Sequence, residues 1–215
     1  MKIFVLNGWS ASPEAWSLCT FPIDRLFSYR DQLDGVPEKA MEAVDEVILV
    51  GWSMGTSTAM RLWMTYPEKV KGLVLLAAMP RMLSDTNWVG ITTRRLDVLY
   101  QATVMTHGEG FFGPPPGAPN PYSLDTEENL RAGITYLAET DLRAALEAFA
   151  PHVASDFPIY LFHSERDGIV RSAQSTYLKG LFPSAQVTFI PGTEHALPVI
   201  IPEKIDAAVV EILKK

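Results

Sequence analysis

Ten residues, Glu46-Val-Ile-Leu-Val-Gly-Trp-Ser-Met-Gly55, constrain this chain more than any other stretch. Val47 to Val50 form a short apolar run, the pattern of a strand buried on both faces, and from Thr56 to Tyr66 apolar residues recur at helical spacing. Joining the two within Gly51-Trp-Ser53-Met-Gly55 requires a turn so sharp that a side chain at either glycine position would strike the strand or the helix. The turn pushes the Ser53 hydroxyl out above the sheet, near a helix start whose unpaired N–H groups favour developing negative charge. A Gly-x-Ser-x-Gly string by itself also occurs as an ordinary turn. The strand before it and the helix after it make Ser53 the candidate nucleophile.

The rest of the chain alternates in the same way. Ile3 to Leu6 reads as a strand and Asn7-Gly-Trp-Ser-Ala-Ser-Pro13 as a loop, with Ser12 as N-cap and Pro13 as first helical residue. Ile23 to Tyr29 predicts a short strand, Asp31 to Gly35 a turn, Pro37 to Val44 a helix and Lys71 to Ala78 a buried strand. Toward the C-terminus follow a strand at Pro158 to His163, a helix near Ser172 to Leu181, a strand at Gln186 to Ile190 and a helix at Pro202 to Leu213. This alternation predicts an α/β fold, a mostly parallel sheet with helices on both faces. From residue 80 to 150 strand signals vanish, and helical patches at Arg94 to Tyr100, Thr126 to Leu137 and Asp141 to Phe149 replace them. That segment reads as a helical cap inserted into a core of residues 1–79 and 151–215. Its proline tract, Gly113 to Pro121, is either a stiff loop between cap helices or a ligand for a proline-binding module.

Composition narrows the partners. A chain of 215 residues with 47% hydrophobic content can bury one good core, while a net charge of -7 argues against a nucleic-acid partner, which needs a dense basic surface. Cys19 is the only cysteine, so no disulfide framework or thiolate metal cluster is available and a reducing compartment fits. The apolar run at the N-terminus is too short for a signal peptide, and no stretch approaches the roughly 18 to 20 apolar residues of a membrane span. A soluble cytoplasmic protein without a membrane partner is the expectation.

A serine hydroxyl is a weak nucleophile unless a base, itself oriented by an acid, stands within hydrogen-bond reach. Asp167, in the segment after the Pro158–His163 strand, and His195, after the Gln186–Ile190 strand, belong at the same sheet edge as Ser53. His163, His107 and His152 are the other histidines, and Glu165 and Asp141 the rival acids, Asp141 reading as a helix cap. The backbone N–H groups of Met54 and Trp9 are the candidate oxyanion donors, and the Trp9 ring is placed as a lid on the helix below. No metal-ligand spacing, Gly-x-Gly-x-x-Gly loop or Walker loop occurs, so no cofactor is expected.

On Asn7-Gly-Trp9, Gly-Trp-Ser53-Met-Gly, Glu-Arg-Asp167 and Glu-His195, the chain resembles the α/β-hydrolase superfamily over essentially its full length. Within it, Trp16 after Gly8-Trp9, the elbow itself and the segment Thr140-Asp-Leu-Arg143 look most like carboxylesterases that cleave pimeloyl-carrier-protein methyl ester in biotin synthesis. Asn7 stands where that family usually has histidine, Thr56 replaces a usual glycine, and the family's first hairpin is lacking. The resemblance implies an α/β-hydrolase fold and hydrolysis of short to medium acyl esters, free or carrier-bound, through an acyl-enzyme. It also implies docking of an acidic acyl carrier protein through cap arginines, with Arg143 matching by motif and Arg131, Arg94 and Arg95 by being cap arginines. Trp88, Leu96, Leu99, Phe111 and Phe112 are then expected to line an acyl tunnel over Ser53, with Arg143 facing outward. A broad-specificity carboxylesterase, a relative that cleaves or eliminates at carbon, and a ligand receptor with a slow triad remain open alternatives.

Overall fold

A computed structural model describes residues 1–106, 117–123, 125–192 and 194–215. Each apolar run predicted as a strand pairs into one sheet. In chain order the elements are β1 (Lys2–Leu6), β2 (Arg25–Phe27), α1 (Tyr29–Leu33), α2 (Val36–Glu42), β3 (Val47–Trp52), α3 (Met54–Thr65) and β4 (Val70–Leu76). Then come α4 (Thr93–Thr106), α5 (Glu127–Glu139), α6 (Arg143–Phe149), β5 (Ile159–Ser164), α7 (Ala173–Leu181), β6 (Gln186–Ile190), α8 (Leu197–Ile200) and α9 (Pro202–Leu213). The sheet order is β2-β1-β3-β4-β5-β6, and every pairing is parallel. All carboxyl ends therefore lie at one edge. The order reverses direction between β1 and β3, which opens a crevice above their ends.

Strand residues alternate between two cores, because successive side chains point to opposite faces. Phe4, Leu49, Leu73 and Ile159 lie in register and join the core under α2, α3 and α7, where Trp63 stacks on Phe157 at 4.8 Å. Val5, Val50, Val74 and Tyr160 form the matching row on the other face, packed with Ile205, Val209 and Ile212 of α9 and with Leu96 and Leu99 of α4. Strands buried on both faces read as continuous apolar runs, which is why they were legible.

Two local expectations fail. Tyr29 to Leu33 is helix rather than strand end and turn, since Ser28 and Asp31 form a capping box: Ser28 N donates to the Asp31 carboxylate at 2.8 Å and Asp31 N to Ser28 Oγ at 3.2 Å. The short helix α8 was not expected either. Between β4 and β5 the chain contributes α4, α5 and α6, and the ends of this excursion are clasped together. Leu142 N donates to Pro80 O at 3.0 Å, and Arg81 and Arg143 share Asp85 and Asp141.

Glycine content makes a direct prediction. A Cβ on Gly55 would lie 2.0 Å from the Leu6 carbonyl oxygen, backbone that cannot yield, whereas one on Gly180 in α7 meets nothing within 4 Å. Gly55→Ala is expected to abolish recovery of folded protein, and Gly180→Ala to raise stability by about 0.5 to 1 kcal/mol in urea unfolding. A folded Gly55→Ala protein of unchanged stability would contradict this packing.

Candidate active site

β3 ends at Trp52 and α3 starts at Met54, so Ser53 makes the turn alone, with φ 53° and ψ -120°. A left-handed φ is strained for a residue with a side chain and persists only when its surroundings fix it. Ser53 N donates to Leu76 O of β4 at 2.9 Å, and Ser53 O accepts from Thr56 N at 2.9 Å and Thr56 Oγ1 at 2.6 Å. Thr56 Oγ1 also accepts from Met79 N at 2.9 Å. The threonine that replaces a usual glycine thus ties the turn to the chain leaving β4.

The loops after β5 and β6 bring Asp167 and His195 to this turn. His195 Nε2 lies 2.9 Å from Ser53 Oγ, and His195 Nδ1 lies 2.7 Å from Asp167 Oδ2. Asp167 is buried, and its other oxygen accepts from the N–H groups of Ile169 (2.8 Å) and Val170 (3.1 Å). A buried carboxylate needs such donors. Trp52 Nε1 donates to the His195 carbonyl at 2.8 Å, which tethers the histidine loop to β3.

The rivals go elsewhere. Glu165 is exposed, and Asp141 is paired with Arg81 and Arg143, its carboxyl held below the usual range first by the hydrogen bond from Arg143. His152 is exposed, and His107 lies outside the described residues. His163 is fully buried beneath Asp167, with Nδ1 2.7 Å from Ser175 Oγ, Nε2 2.9 Å from Val170 O and 3.9 Å from Asp167 Oδ2. It braces the acid's loop and does not reach Ser53.

On the opposite side of Ser53, Asn7 organises the loop after β1. Asn7 Nδ2 donates to Ser12 O at 2.9 Å, while its Oδ1 accepts from Gly8 N at 3.2 Å and Trp16 Nε1 at 3.1 Å. The amide thereby supplies both a donor and an acceptor. Residues 121 to 123 lie against the loop: Ser12 N donates to Pro121 O at 2.8 Å and Ser123 N to Ser10 O at 2.9 Å. The Trp9 indole does not cover a helix below. It rises to α5, donates to Leu130 O at 3.0 Å and sits where a Cβ on Gly133 would come within 2.4 Å of it.

Gly8, Trp9, Ser53 and His195 line one cavity, roofed by Leu96 and Leu99 of α4 and by Ile134 and Leu137 of α5. Trp52, Met82, Tyr122 and Ile169 complete its wall, and the last three were not anticipated, because each lies in irregular chain with no period to mark it. The one available signal was Asn120-Pro121, which marks a loop but not its pairing with residues 10–12. Trp88 is not in this cavity: its N–H donates to Arg81 O at 3.0 Å and its ring packs edge-on to Tyr177 at 5.0 Å. Phe111 and Phe112 lie outside the described residues. Arg143 is bound to Asp85 and Asp141 at 2.8 Å each and lies over Trp88, while Arg131 pairs with Glu127 and lies over Tyr100.

The model of the alpha/beta hydrolase family matches residues 3–208. The chain belongs to the α/β hydrolase family. It is an enzyme, a hydrolase. This α/β hydrolase is similar to the pimeloyl-[acyl-carrier protein] methyl ester esterase of Edwardsiella ictaluri, at 26% identity with 97% of this chain and 92% of that one covered. It resembles the protein of the same name from Vibrio vulnificus at 23% identity, covering 94% and 89%. Among solved structures, an esterase from Exiguobacterium antarcticum superposes with a TM-score of 0.73 at 16% identity, covering 100% of this chain and 92% of that one, and shares its fold. Among the described residues, no helix of the hydrolase is long and apolar enough to cross a membrane.

Burial lowers the His163 pKa from its ordinary value near 6.5, and Asp167 opposes this only in part. The unfolded chain therefore takes up a proton here at a higher pH than the folded hydrolase does. The contribution of His163 to stability is complete above that ordinary value and falls as pH drops toward the lower folded value. Thermal unfolding followed from about pH 7.5 to about pH 5 should show a shallower loss of stability in His163→Gln than in the parent. Equal slopes would contradict a buried, neutral histidine.

Proposed function

We propose that this hydrolase is a serine carboxylesterase for short to medium acyl esters, with Ser53 as nucleophile, His195 as base and Asp167 as the acid that orients it. The observation that carries the reading is the 2.9 Å approach of His195 Nε2 to a Ser53 Oγ that opens into an apolar cavity. His195 takes the serine proton as Oγ attacks the ester carbonyl, then returns it to the departing alcohol; water reverses the sequence and releases the acid. The developing oxyanion meets the N–H of Met54, among the unpaired donors at the start of α3, and that of Trp9. The segment 80–150 acts as the cap that excludes water.

Among the described residues no lysine, arginine, aspartate or glutamate lines the cavity. That supports a neutral acyl chain beside the ester and leaves the dicarboxylate of a carbon-cleaving relative without an anchor. The cavity volume is about 30 Å³, too small as it stands for a chain of several carbons. An acyl chain enters as Leu96, Leu99 and Leu137 part. The names of the relatives support a finer reading, the methyl ester of a pimeloyl group on an acyl carrier protein. Under it, Arg143 and Arg131 contact the carrier by exchanging the carboxylates they now hold.

Turnover of p-nitrophenyl butyrate tests the esterase, and methanol release from pimeloyl-[acyl-carrier protein] methyl ester tests the finer reading. Ser53→Ala is expected to lower kcat by at least about 10⁴-fold and Asp167→Asn by about 10³- to 10⁴-fold with little change in KM. Near-normal turnover by Ser53→Ala would remove the assignment. Equal kcat/KM for the carrier-bound ester and free monomethyl pimelate would leave a broad carboxylesterase.

A further inference from the structure

The oxyanion donor proposed at Trp9 depends on one peptide plane, that between Gly8 and Trp9, which carries its N–H. A Cβ on Gly8 would stand 3.4 Å from Ser53 Cβ, so this plane passes directly beside the nucleophile. Glycine at position 8 leaves the plane free to rotate on one side. The neighbouring planes are held: Gly8 N donates to Asn7 Oδ1 at 3.2 Å, and Ser10 O accepts from Ser123 N at 2.9 Å. Among the described residues, the 8–9 plane itself is held by one backbone bond, a long one of 3.3 Å from Ala11 N to Gly8 O. Ser10 follows at φ 55°, a strained value that persists only when its surroundings fix it.

The Trp9 side chain supplies a second anchor. Its Nε1 donates to Leu130 O at 3.0 Å, and its ring fits against Gly133, where a Cβ would stand 2.7 Å from Nε1 and 3.3 Å from Tyr29 Cδ2. α5 is fixed in turn at its first turn. Asp125 accepts from Thr126 N at 2.8 Å, from Asn129 Nδ2 at 2.7 Å and from the buried Tyr29 hydroxyl, and it pairs with Arg30 at 3.3 Å. The same helix roofs the cavity with Ile134 and Leu137. One rigid element thus covers the acyl chain and grips the loop beside Ser53. A ring that served only as cavity wall would need neither the N–H bond nor a glycine opposite it.

We propose that the Trp9 indole is a positioning residue for the reaction: held by Leu130 O and Gly133, it locks the 8–9 peptide with its N–H toward the developing oxyanion. This rests on the esterase reading above, in which that N–H is one of two donors. Two inhibitors separate positioning from packing. With n-butylboronic acid, Ser53 Oγ gives a lone pair to boron, its proton passes to His195, and the anionic boronate oxygen meets the donors; N-methylbutyramide fills the same cavity uncharged. Trp9→Phe keeps the backbone N–H and loses the tether, and should lower kcat on p-nitrophenyl butyrate by about 10- to 100-fold with KM within about threefold. Calorimetric titration should show boronate binding weakened by a similar factor and amide binding within about twofold of the parent. Gly133→Ala displaces the ring and should reproduce this loss, yet added to Trp9→Ala, where no ring remains, it should change kcat by less than about twofold. Circular dichroism establishes that each variant is folded, and if Trp9→Phe is not, Gly133→Ala decides by the same comparison. Parental kcat in the folded variants overturns the proposal, as does equal weakening of boronate and amide, or an undiminished Gly133→Ala loss in Trp9→Ala. Absent butyrate turnover in the parent would remove the esterase reading, while the boronate and amide titrations still decide the role of Trp9.

Discussion

The close approach of Gly55 to the Leu6 carbonyl is the constraint on which the rest of the structure depends. With no Cβ at position 55, α3 starts directly against the end of β1, and Ser53 is held above β3 at φ 53°. A helix start displaced by even one side chain would move Ser53 off the crevice between β1 and β3 and separate it from the Gly8–Trp9 loop. Strain at Ser53 is thus fixed by packing that lies outside the site, including the bridge from Ser53 O through Thr56 Oγ1 to Met79 N.

The same principle governs the partners of Ser53. Asp167 and His195 lie on loops, yet each loop is nailed to the sheet by buried hydrogen bonds: His163 to Val170 O, and Trp52 to His195 O. Asn7 serves the third loop, with Trp16 and Ser12 as partners. Buried polar groups that are fully paired define one arrangement, because every alternative leaves a donor or acceptor without water or partner. The geometry around Ser53 is a by-product of satisfying the loops' own polar atoms.

Much of this was readable in the residues. Runs such as Val47–Val50 and Leu73–Leu76 could only be strand or core, and the strands that precede Ser53, Asp167 and His195 placed all three at one sheet edge. Sequence failed where long-range contact overrides local pattern. Trp88 has the composition of a tunnel residue but is captured by Arg143 and Tyr177 in the clasp. Tyr122 follows an unpatterned loop and reaches the cavity because residues 121–123 pair with residues 10–12. The direction of the Trp9 ring depended on Gly133, far away in the chain. Which arginines are already neutralised is likewise a matter of tertiary pairing that spacing does not encode.

The central claim is that Ser53 is the single activated hydroxyl of the molecule. Mass spectrometry after brief treatment with a fluorophosphonate tests it most directly, since such reagents phosphonylate serines deprotonated by an adjacent base. The account predicts one adduct per chain, on the peptide containing Ser53, and no adduct in His195→Ala. An adduct on any other serine, or one that persists in Ser53→Ala, would contradict it.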